Sequence, residues 1–127
     1  MKINKKKKIL IVDDAKESLN LLTLLLESNN YLVDCTTNGR EALERLNKAV
    51  DLPDLIILDT QMPIMDGFEF RLHQSQSLRI SEIPVLVTTG DTDLSISKRM
   101  RYPIKIEHKP LQIKSFLESV TQCLTVK

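Results

Sequence analysis

The sequence has few of the features that mark several common classes of protein. Its two cysteines, Cys35 and Cys123, match no metal-ligand or redox spacing, and we expect both thiols to be reduced and half-buried. Lysine and arginine number 18 against 17 acidic residues, so the formal net charge is only +1. That balance argues against a protein that binds nucleic acid through its overall charge.

Long apolar runs are also missing. No stretch approaches the roughly 20 apolar residues that a membrane-spanning helix needs. The run that begins at Ile9 follows basic residues, as in a secretion signal, but it stops at Asp13 and is too short for the apolar part of such a signal. We therefore expect a cytoplasmic protein without a membrane partner.

Positive charge is concentrated near the N-terminus, where Lys2 precedes the run from Lys5 to Lys8. We interpret residues 1–7 as a solvated basic tip ahead of the first strand. The alternative is a contact with nucleic acid or another anionic partner. Because the sequence contains no helix-turn-helix segment, we do not expect nucleic acid to be a partner.

Short apolar runs alternate with longer stretches of helical periodicity. Predicted strands cover residues 8–12, 31–36, 55–58, 84–88 and 104–106, and predicted helices cover 18–28, 40–50, a segment from 68, 92–100 and 111–124. Short strands that are almost continuously apolar are typical of a parallel sheet with helices on both faces. The alternation therefore predicts one α/β domain over residues 1–127, with a doubly wound five-stranded parallel sheet and about five helices.

Polar residues that can carry chemistry stand where the predicted strands end. They are Asp13, Asp14, Asp59, Thr88, Thr89 and Lys109. Each type is ordinary by itself, because aspartate often caps helices and threonine is a good strand residue. In an open parallel sheet, however, ligands bind outside the carboxyl ends of the strands. Polar residues at several strand ends therefore predict a functional site.

The chemistry of that site follows from its residue types. If the first and third strands are neighbours, three carboxylates converge and repel one another. A bound cation removes the repulsion, and hard oxygen ligands favour Mg²⁺. A lysine and a hydroxyl beside the cation suit a phosphoryl group, because the ammonium pairs with one oxygen and the hydroxyl donates to another. One of the three acids can then be the nucleophile that forms an acyl phosphate.

The same residues make the chain resemble a response regulator receiver domain over about residues 7–125. The resemblance is carried by ILIVDD at 9–14, PDLIILDTQMPIMDGFE at 53–69, IPVLVTTG at 83–90 and KP at 109–110. It implies a flavodoxin-like sheet of strand order 2-1-3-4-5 in a phosphorelay protein. A histidine kinase or histidine phosphotransfer protein would phosphorylate it with Mg²⁺. Such a domain is not a dedicated enzyme, but it catalyses its own phosphorylation and dephosphorylation and signals to a downstream protein by conformational change.

The resemblance also implies which residues hold the metal ion and accept the phosphoryl group. Asp59 would be the phosphoacceptor and a ligand of Mg²⁺. Asp14 would bind the ion directly, whereas Asp13 would help mostly through water. The backbone carbonyl of Gln61 would supply a further protein oxygen.

Three further residues receive a role by the same resemblance. Thr89 would hydrogen-bond the phosphoryl group and pull its loop inward, while Thr88, one residue earlier, would face the core or a helix layer. Lys109 would pair with a phosphoryl oxygen, positioned by a cis peptide bond to Pro110.

Two features depart from the family pattern. Receivers usually carry an aromatic residue or histidine three positions before the lysine, where this chain has Ile106. The connection from Gly90 to Lys109 is short, which predicts a shortened or irregular fourth helix. Both departures lie on the face through which receivers commonly signal. We therefore expect intact phosphorylation chemistry and leave the standard output coupling open.

Two other functions compete with that of a phosphoacceptor. The first is a receiver-like protein-binding module that works without phosphate, which Ile106 and the short fourth helix favour. The second is a phosphate hydrolase or transferase of the haloacid dehalogenase type. Those enzymes need a second acid two residues after the nucleophile, and this chain has Gln61 there.

Overall fold

A parallel sheet lies at the centre of the molecule, in a computed structural model that describes residues 5–125. Its five strands within that range are β1 (Lys8–Val12), β2 (Leu32–Thr36), β3 (Leu55–Asp59), β4 (Val85–Thr89) and β5 (Lys105–His108). They pair in the order β2-β1-β3-β4-β5, and every pair is parallel. The predicted strand order is confirmed, and it places β1 beside β3.

Five helices flank the sheet in the described part of the chain. They are α1 (Lys16–Ser28), α2 (Gly39–Lys48), α3 (Gly67–Ser75), α4 (Ile96–Arg99) and α5 (Ile113–Thr125). The predicted number is confirmed, but α2, α4 and α5 are shorter than predicted. Helix α2 ends at Lys48 because Ala49 adopts an extended backbone, and the Val50 side chain beyond it is 95% exposed. Helix α4 is a single turn, as the short connection predicted.

The sheet separates two apolar clusters, one beneath each layer of helices. On one face the strands pack against α2, α3 and α4 through residues such as Leu46, Phe70 and Met100. On the other face they pack against α1 and α5 through residues such as Leu26 and Phe116. Because successive strand side chains point to opposite faces, strands covered on both sides must be apolar throughout. This burial explains the nearly continuous apolar runs in the sequence.

The remaining predictions about the chain have mixed outcomes. Cys35 is partly buried, as predicted, but Cys123 is fully buried in the cluster beneath α5, so its predicted half-burial is wrong. Burial raises the pKa of the Cys123 thiol to about 11. Lys5, Lys6 and Lys7 are exposed, whereas Lys2 lies outside the described residues. None of the helices between residues 5 and 125 is long and apolar enough to cross a bilayer.

Candidate functional site

Three aspartates meet at the carboxyl edge of the sheet. Asp13 and Asp14 follow β1, and Asp59 ends the neighbouring strand β3. Each offers a carboxylate oxygen that lies within 4.8 Å of the oxygens of the other two. Asp13 and Asp59 are buried, at 1% and 7% exposure, while Asp14 is exposed. The convergence expected from the strand ends is therefore present.

Lys109 brings the positive charge to this cluster. Its Nζ lies 3.3 Å from Oδ2 of Asp13 and 3.5 Å from Oδ2 of Asp59. The Lys109 backbone N–H donates to the carbonyl of Thr89 at 2.7 Å, and the peptide bond to Pro110 is cis, as the resemblance implied. One ammonium cannot neutralise three carboxylates. The oxygen-rich, net negative donor set therefore fits a divalent cation such as Mg²⁺.

The carboxyl group of Asp59 ionises less readily than that of an ordinary aspartate. Burial raises its pKa above the usual value, and the nearby Asp13 carboxylate raises it further. Lys109 and the backbone N–H groups of Thr60 and Gln61 lower the pKa, and the Thr60 N–H donates to Asp59 Oδ1 at 2.8 Å. The raising effects prevail, so added positive charge at this site would favour the ionised, nucleophilic form.

The backbone at Asp59 is packed tightly against the beginning of α3. The N–H of Gly67 donates to the carbonyl of Thr60 at 3.0 Å, and a Cβ atom on Gly67 would lie only 2.3 Å from the carbonyl oxygen of Asp59. Asp66 precedes Gly67 and caps the helix, since its side chain accepts from the N–H of Glu69. The sequence predicted only a turn at Asp66–Gly67, because this contact depends on how α3 packs against β3.

A cavity of about 360 Å³ opens beside the phosphoacceptor candidate. It is lined by Asp59, Thr60, Gln61, Gly90 and Asp91. Gln61 therefore lies beside Asp59 at this cavity, and its role as a metal ligand through the backbone carbonyl stays a prediction. A larger cavity of about 570 Å³ is lined by other residues, among them Arg45 and Pro53, and includes none of the clustered acids. The convergent charges rather than the cavity size identify the site.

The two threonines at the end of β4 have different surroundings. Thr89 is fully buried, its hydroxyl oxygen lies 2.9 Å from that of Thr60, and it accepts from the Asp91 N–H at 3.0 Å. Thr88 is also buried, as predicted, and its hydroxyl has no hydrogen-bond partner among the described residues. Sequence reasoning missed Thr60. The register that places Asp59 opposite Thr88, and so Thr60 beside Thr89, would have revealed it.

Both departures from the family pattern are visible in the structure. Ile106 is half-buried and packs against the cluster beneath α3 and α4. Tyr102 is 69% exposed and does not take the place of the missing aromatic residue. It follows Arg101, and both residues have positive φ angles, 60° and 52°, where the chain turns away from α4.

Comparison with protein families and curated proteins gives a consistent result. The family model described as the response regulator receiver domain matches residues 9–102. The polar-differentiation response regulator DivK of Brucella anthropi is 28% identical over 120 residues, which cover 93% of this chain and 96% of DivK. The transcriptional regulatory protein CpxR homolog of Haemophilus influenzae is 37% identical over 83 residues, 65% of this chain and 34% of that protein. The chain spans about a third of the length of this and other curated relatives.

Solved structures of a response regulator and of a receiver domain superpose on nearly the whole chain. The chemotaxis response regulator CheY4 of Vibrio cholerae superposes with a TM-score of 0.85 and 27% identity, covering 94% of this chain and 99% of that one. The signal receiver domain of a signal transduction histidine kinase from Syntrophus aciditrophicus gives a TM-score of 0.84 and 30% identity, covering 94% of this chain and 90% of that one.

Proposed function

This chain belongs to the response regulator receiver domain family, and we propose that it is the phosphoacceptor of a two-component phosphorelay, phosphorylated on Asp59. The observation that carries the proposal is the position of Asp59. It ends a buried strand, lies within 3.5 Å of the Lys109 ammonium, and borders a cavity together with Gln61. The phosphoryl donor would be the phosphohistidine of a histidine kinase or of a histidine phosphotransfer protein.

The acidic cluster would hold Mg²⁺ through Asp13, Asp14 and Asp59, with the backbone carbonyl of Gln61 as a further ligand. The donor set supports this assignment, because all of these groups offer oxygen and three of them carry negative charge. When bound, the ion supplies positive charge that offsets the phosphoryl oxygens. Asp14 would contribute as a direct ligand at the exposed side of the cluster, and the buried Asp13 would contribute mostly through water.

Phosphoryl transfer is then a displacement at phosphorus. A carboxylate oxygen of Asp59 attacks, the new O–P bond forms, and the N–P bond to the donor imidazole breaks with its electron pair remaining on nitrogen. Lys109 stabilises the negative charge on a phosphoryl oxygen, and Thr89 donates a hydrogen bond to another. The protein is thus no dedicated enzyme, but its own residues promote its phosphorylation and the later hydrolysis of the acyl phosphate.

The test is incubation of the purified chain with Mg²⁺ and a small acyl-phosphate donor, followed by intact-mass measurement. We expect a mass gain of one phosphoryl group. The gain should be absent when the reaction is run with a chelator in place of Mg²⁺, and absent in Asp59→Asn. No gain, or a gain that survives Asp59→Asn, would contradict the proposal. Asp51→Asn is the matched control, because Asp51 lies in the loop after α2 and outside the acidic cluster.

A second candidate is a receiver-like module that binds its partner without phosphate. Ile106 and the one-turn helix α4 favour it, because both lie where phosphorylation would be read by a downstream protein. Amide NMR distinguishes the two functions. If phosphorylation leaves the signals of residues 90–110 unchanged, the phosphate-independent module is the better account.

A further inference from the structure

A hydrogen bond between two buried threonine side chains joins the ends of β3 and β4 beside Asp59. The hydroxyl oxygens of Thr60 and Thr89 are 2.9 Å apart, and the two residues are 2% and 0% exposed. Within residues 5–125 the Thr60 hydroxyl has no other partner. The pair therefore forms a local polar contact between the strand that ends in the phosphoacceptor and the strand that carries the phosphoryl-binding threonine.

In this contact the Thr89 hydroxyl does not reach the cavity in which a phosphoryl group would sit. Thr89 is not among the residues that line the cavity, although Gly90 and Asp91 are. Its side chain points to the same sheet face as Val87, toward the cluster beneath α3 and α4, because strand side chains alternate. The backbone N–H of Asp91 donates to the Thr89 hydroxyl from the other side. Thr89 is thus held in a resting position.

We propose that Thr60 is a positioning residue that latches Thr89 in this resting position and that must release it when Asp59 carries a phosphoryl group. The proposal rests on the proposed function of Asp59. Whichever of the two hydroxyls donates in this contact, Thr89 does not line the cavity, so its side chain must rotate for its hydroxyl to reach a phosphoryl oxygen. When Thr89 turns to a phosphoryl oxygen, its contact with Thr60 breaks, and the buried Thr60 hydroxyl loses its partner. The phosphoryl group therefore competes with Thr60 for Thr89.

This Thr60–Thr89 contact, which we call the latch, would set the position of the Thr89 side chain in the unphosphorylated protein. Receivers usually carry an aromatic residue or histidine at the position of Ile106, which here is a half-buried aliphatic residue packed against the cluster beneath α3 and α4. Thr60 acts instead from the end of β3, which lies on the opposite side of β4 from β5. One neutral hydrogen bond between buried groups changes such an equilibrium by about two- to tenfold.

The test is a titration with beryllofluoride, a phosphoryl mimic, in the presence of Mg²⁺. We expect Thr60→Val to bind about two- to tenfold more tightly than wild type, because the competing hydroxyl is gone. Thr60→Ser restores the hydroxyl and should bind like wild type. Thr88→Val is the matched control, since this neighbouring buried hydroxyl has no partner to lose. In a protein that already carries Thr89→Val, adding Thr60→Val should not change the affinity for beryllofluoride further.

Two outcomes of the titration would overturn the latch. One is an affinity of Thr60→Val that is equal to or weaker than that of wild type, and the other is a tightening that persists in the Thr89→Val background. If wild type itself fails to bind beryllofluoride, the proposed function is contradicted. NMR of the unphosphorylated protein then still tests whether Thr60 holds the Thr89 side chain in one position. Thr60→Val should convert a single Thr89 side-chain rotamer into an average of rotamers, and a retained single rotamer would overturn it.

Discussion

At the scale of single residues, the negative charge of Asp59 lowers the folding stability of the unphosphorylated protein. Its pKa is raised by burial first and by Asp13 second, so the folded state holds the proton more tightly than the unfolded chain does. Below the ordinary aspartate pKa of 3.8, Asp59 is protonated in both the folded and the unfolded state, so folding stability is unaffected. As the pH rises through that value, the unfolded state releases its proton first and folding stability falls. The loss of folding stability is complete once the pH exceeds the raised pKa of Asp59 in the folded state.

We therefore predict that Asp59→Asn is more stable than wild type at neutral pH in the presence of a chelator. The asparagine side chain can still accept from the Thr60 N–H but no longer repels Asp13. Melting temperatures of the two proteins, measured from pH 7 down to pH 4, should converge as the pH falls. A variant that melts below wild type at neutral pH, or a difference that does not change with pH, would contradict this explanation of the raised pKa.

The residues of the site differ in how far the sequence predicts them. Asp13, Asp14 and Asp59 follow apolar runs, and Lys109 follows the weaker predicted strand over residues 104–106. Any parallel sheet brings the carboxyl ends of its strands to one edge. Thr60 could not be found in this way, because its role depends on its partner Thr89 at the end of the neighbouring strand β4, which only the pairing register supplies. Hydrogen bonds between side chains on different strands leave no periodic signal in the sequence.

At the scale of secondary-structure elements, the one-turn helix α4 is held in place by α3. The Arg71 guanidinium donates from Nε to the carbonyl of Met100 at 2.8 Å and from Nη2 to that of Arg101 at 3.0 Å. The Arg99 guanidinium also lies 4.2 Å from the centre of the Phe68 ring. A single turn has little stability of its own. These contacts with α3 therefore compensate for the missing length of α4.

We predict that Arg71→Met, which keeps the alkyl stem but loses the donors, lowers the free energy of unfolding by about 1–3 kcal/mol. Hydrogen exchange should accelerate in residues 96–102 more than in α5. Arg40→Met is the matched control, because the Arg40–Glu44 ion pair is largely exposed and such pairs contribute little. Equal destabilisation by both variants would show that Arg71 does not anchor α4.

The contact between Gly67 and the end of β3 gives a second prediction at this scale. Gly67→Ala would force a Cβ atom to within 2.3 Å of the Asp59 carbonyl oxygen, so the backbone must move. We expect a loss of about 1–3 kcal/mol in stability, as for other overpacked sites. The acyl-phosphate reaction should also slow, because Asp59 is displaced. Gly90→Ala should keep wild-type stability, since its added Cβ has no neighbour within 4 Å; equal losses in the two variants would contradict the steric explanation.

Element boundaries depend on the same kind of tertiary contact, and this limits what the sequence could predict. Residues 74–77 are all polar and show no apolar periodicity, yet Gln74 is fully buried. Its side-chain N–H groups donate to the carbonyls of Ile80 and Ile83, so a polar residue is satisfied inside the core. Similarly, the predicted helix over residues 92–100 shortens to Ile96–Arg99, where packing on α3 determines its end.

At the scale of the whole molecule, the topology creates the site. The order β2-β1-β3-β4-β5 places the ends of β1, β3 and β4 side by side, and the loop after β5 reaches across to the acids through Lys109. The alternation of strands and helices was enough to predict a doubly wound parallel sheet, because strands buried on both faces leave a strong apolar signal. The strand order was predicted from the resemblance to receiver domains. Two cores, one on each face, hold the strand ends rigid around the cluster.

This arrangement predicts that Mg²⁺ stabilises the folded protein. An ion that binds only the native state contributes about 2.7 kcal/mol at a concentration 100 times its dissociation constant. Thermal melts with Mg²⁺, compared with melts at matched ionic strength in NaCl, should show a rise in melting temperature for wild type and for Glu44→Gln, an exposed acid outside the cluster. Asp14→Asn and Asp59→Asn should lose most of the rise. A rise that these two variants retain would place the ion elsewhere.

The most direct test of the central claim is to locate the acyl phosphate in the chain. After reaction with a small acyl-phosphate donor and Mg²⁺, borohydride reduction converts a phosphorylated aspartate into homoserine, which peptide mass spectrometry assigns to a position. We predict homoserine at position 59 and at neither of the adjacent acids, Asp13 and Asp14. Homoserine at position 13 or 14, or none anywhere in the chain, would contradict the assignment of Asp59 as the phosphoacceptor.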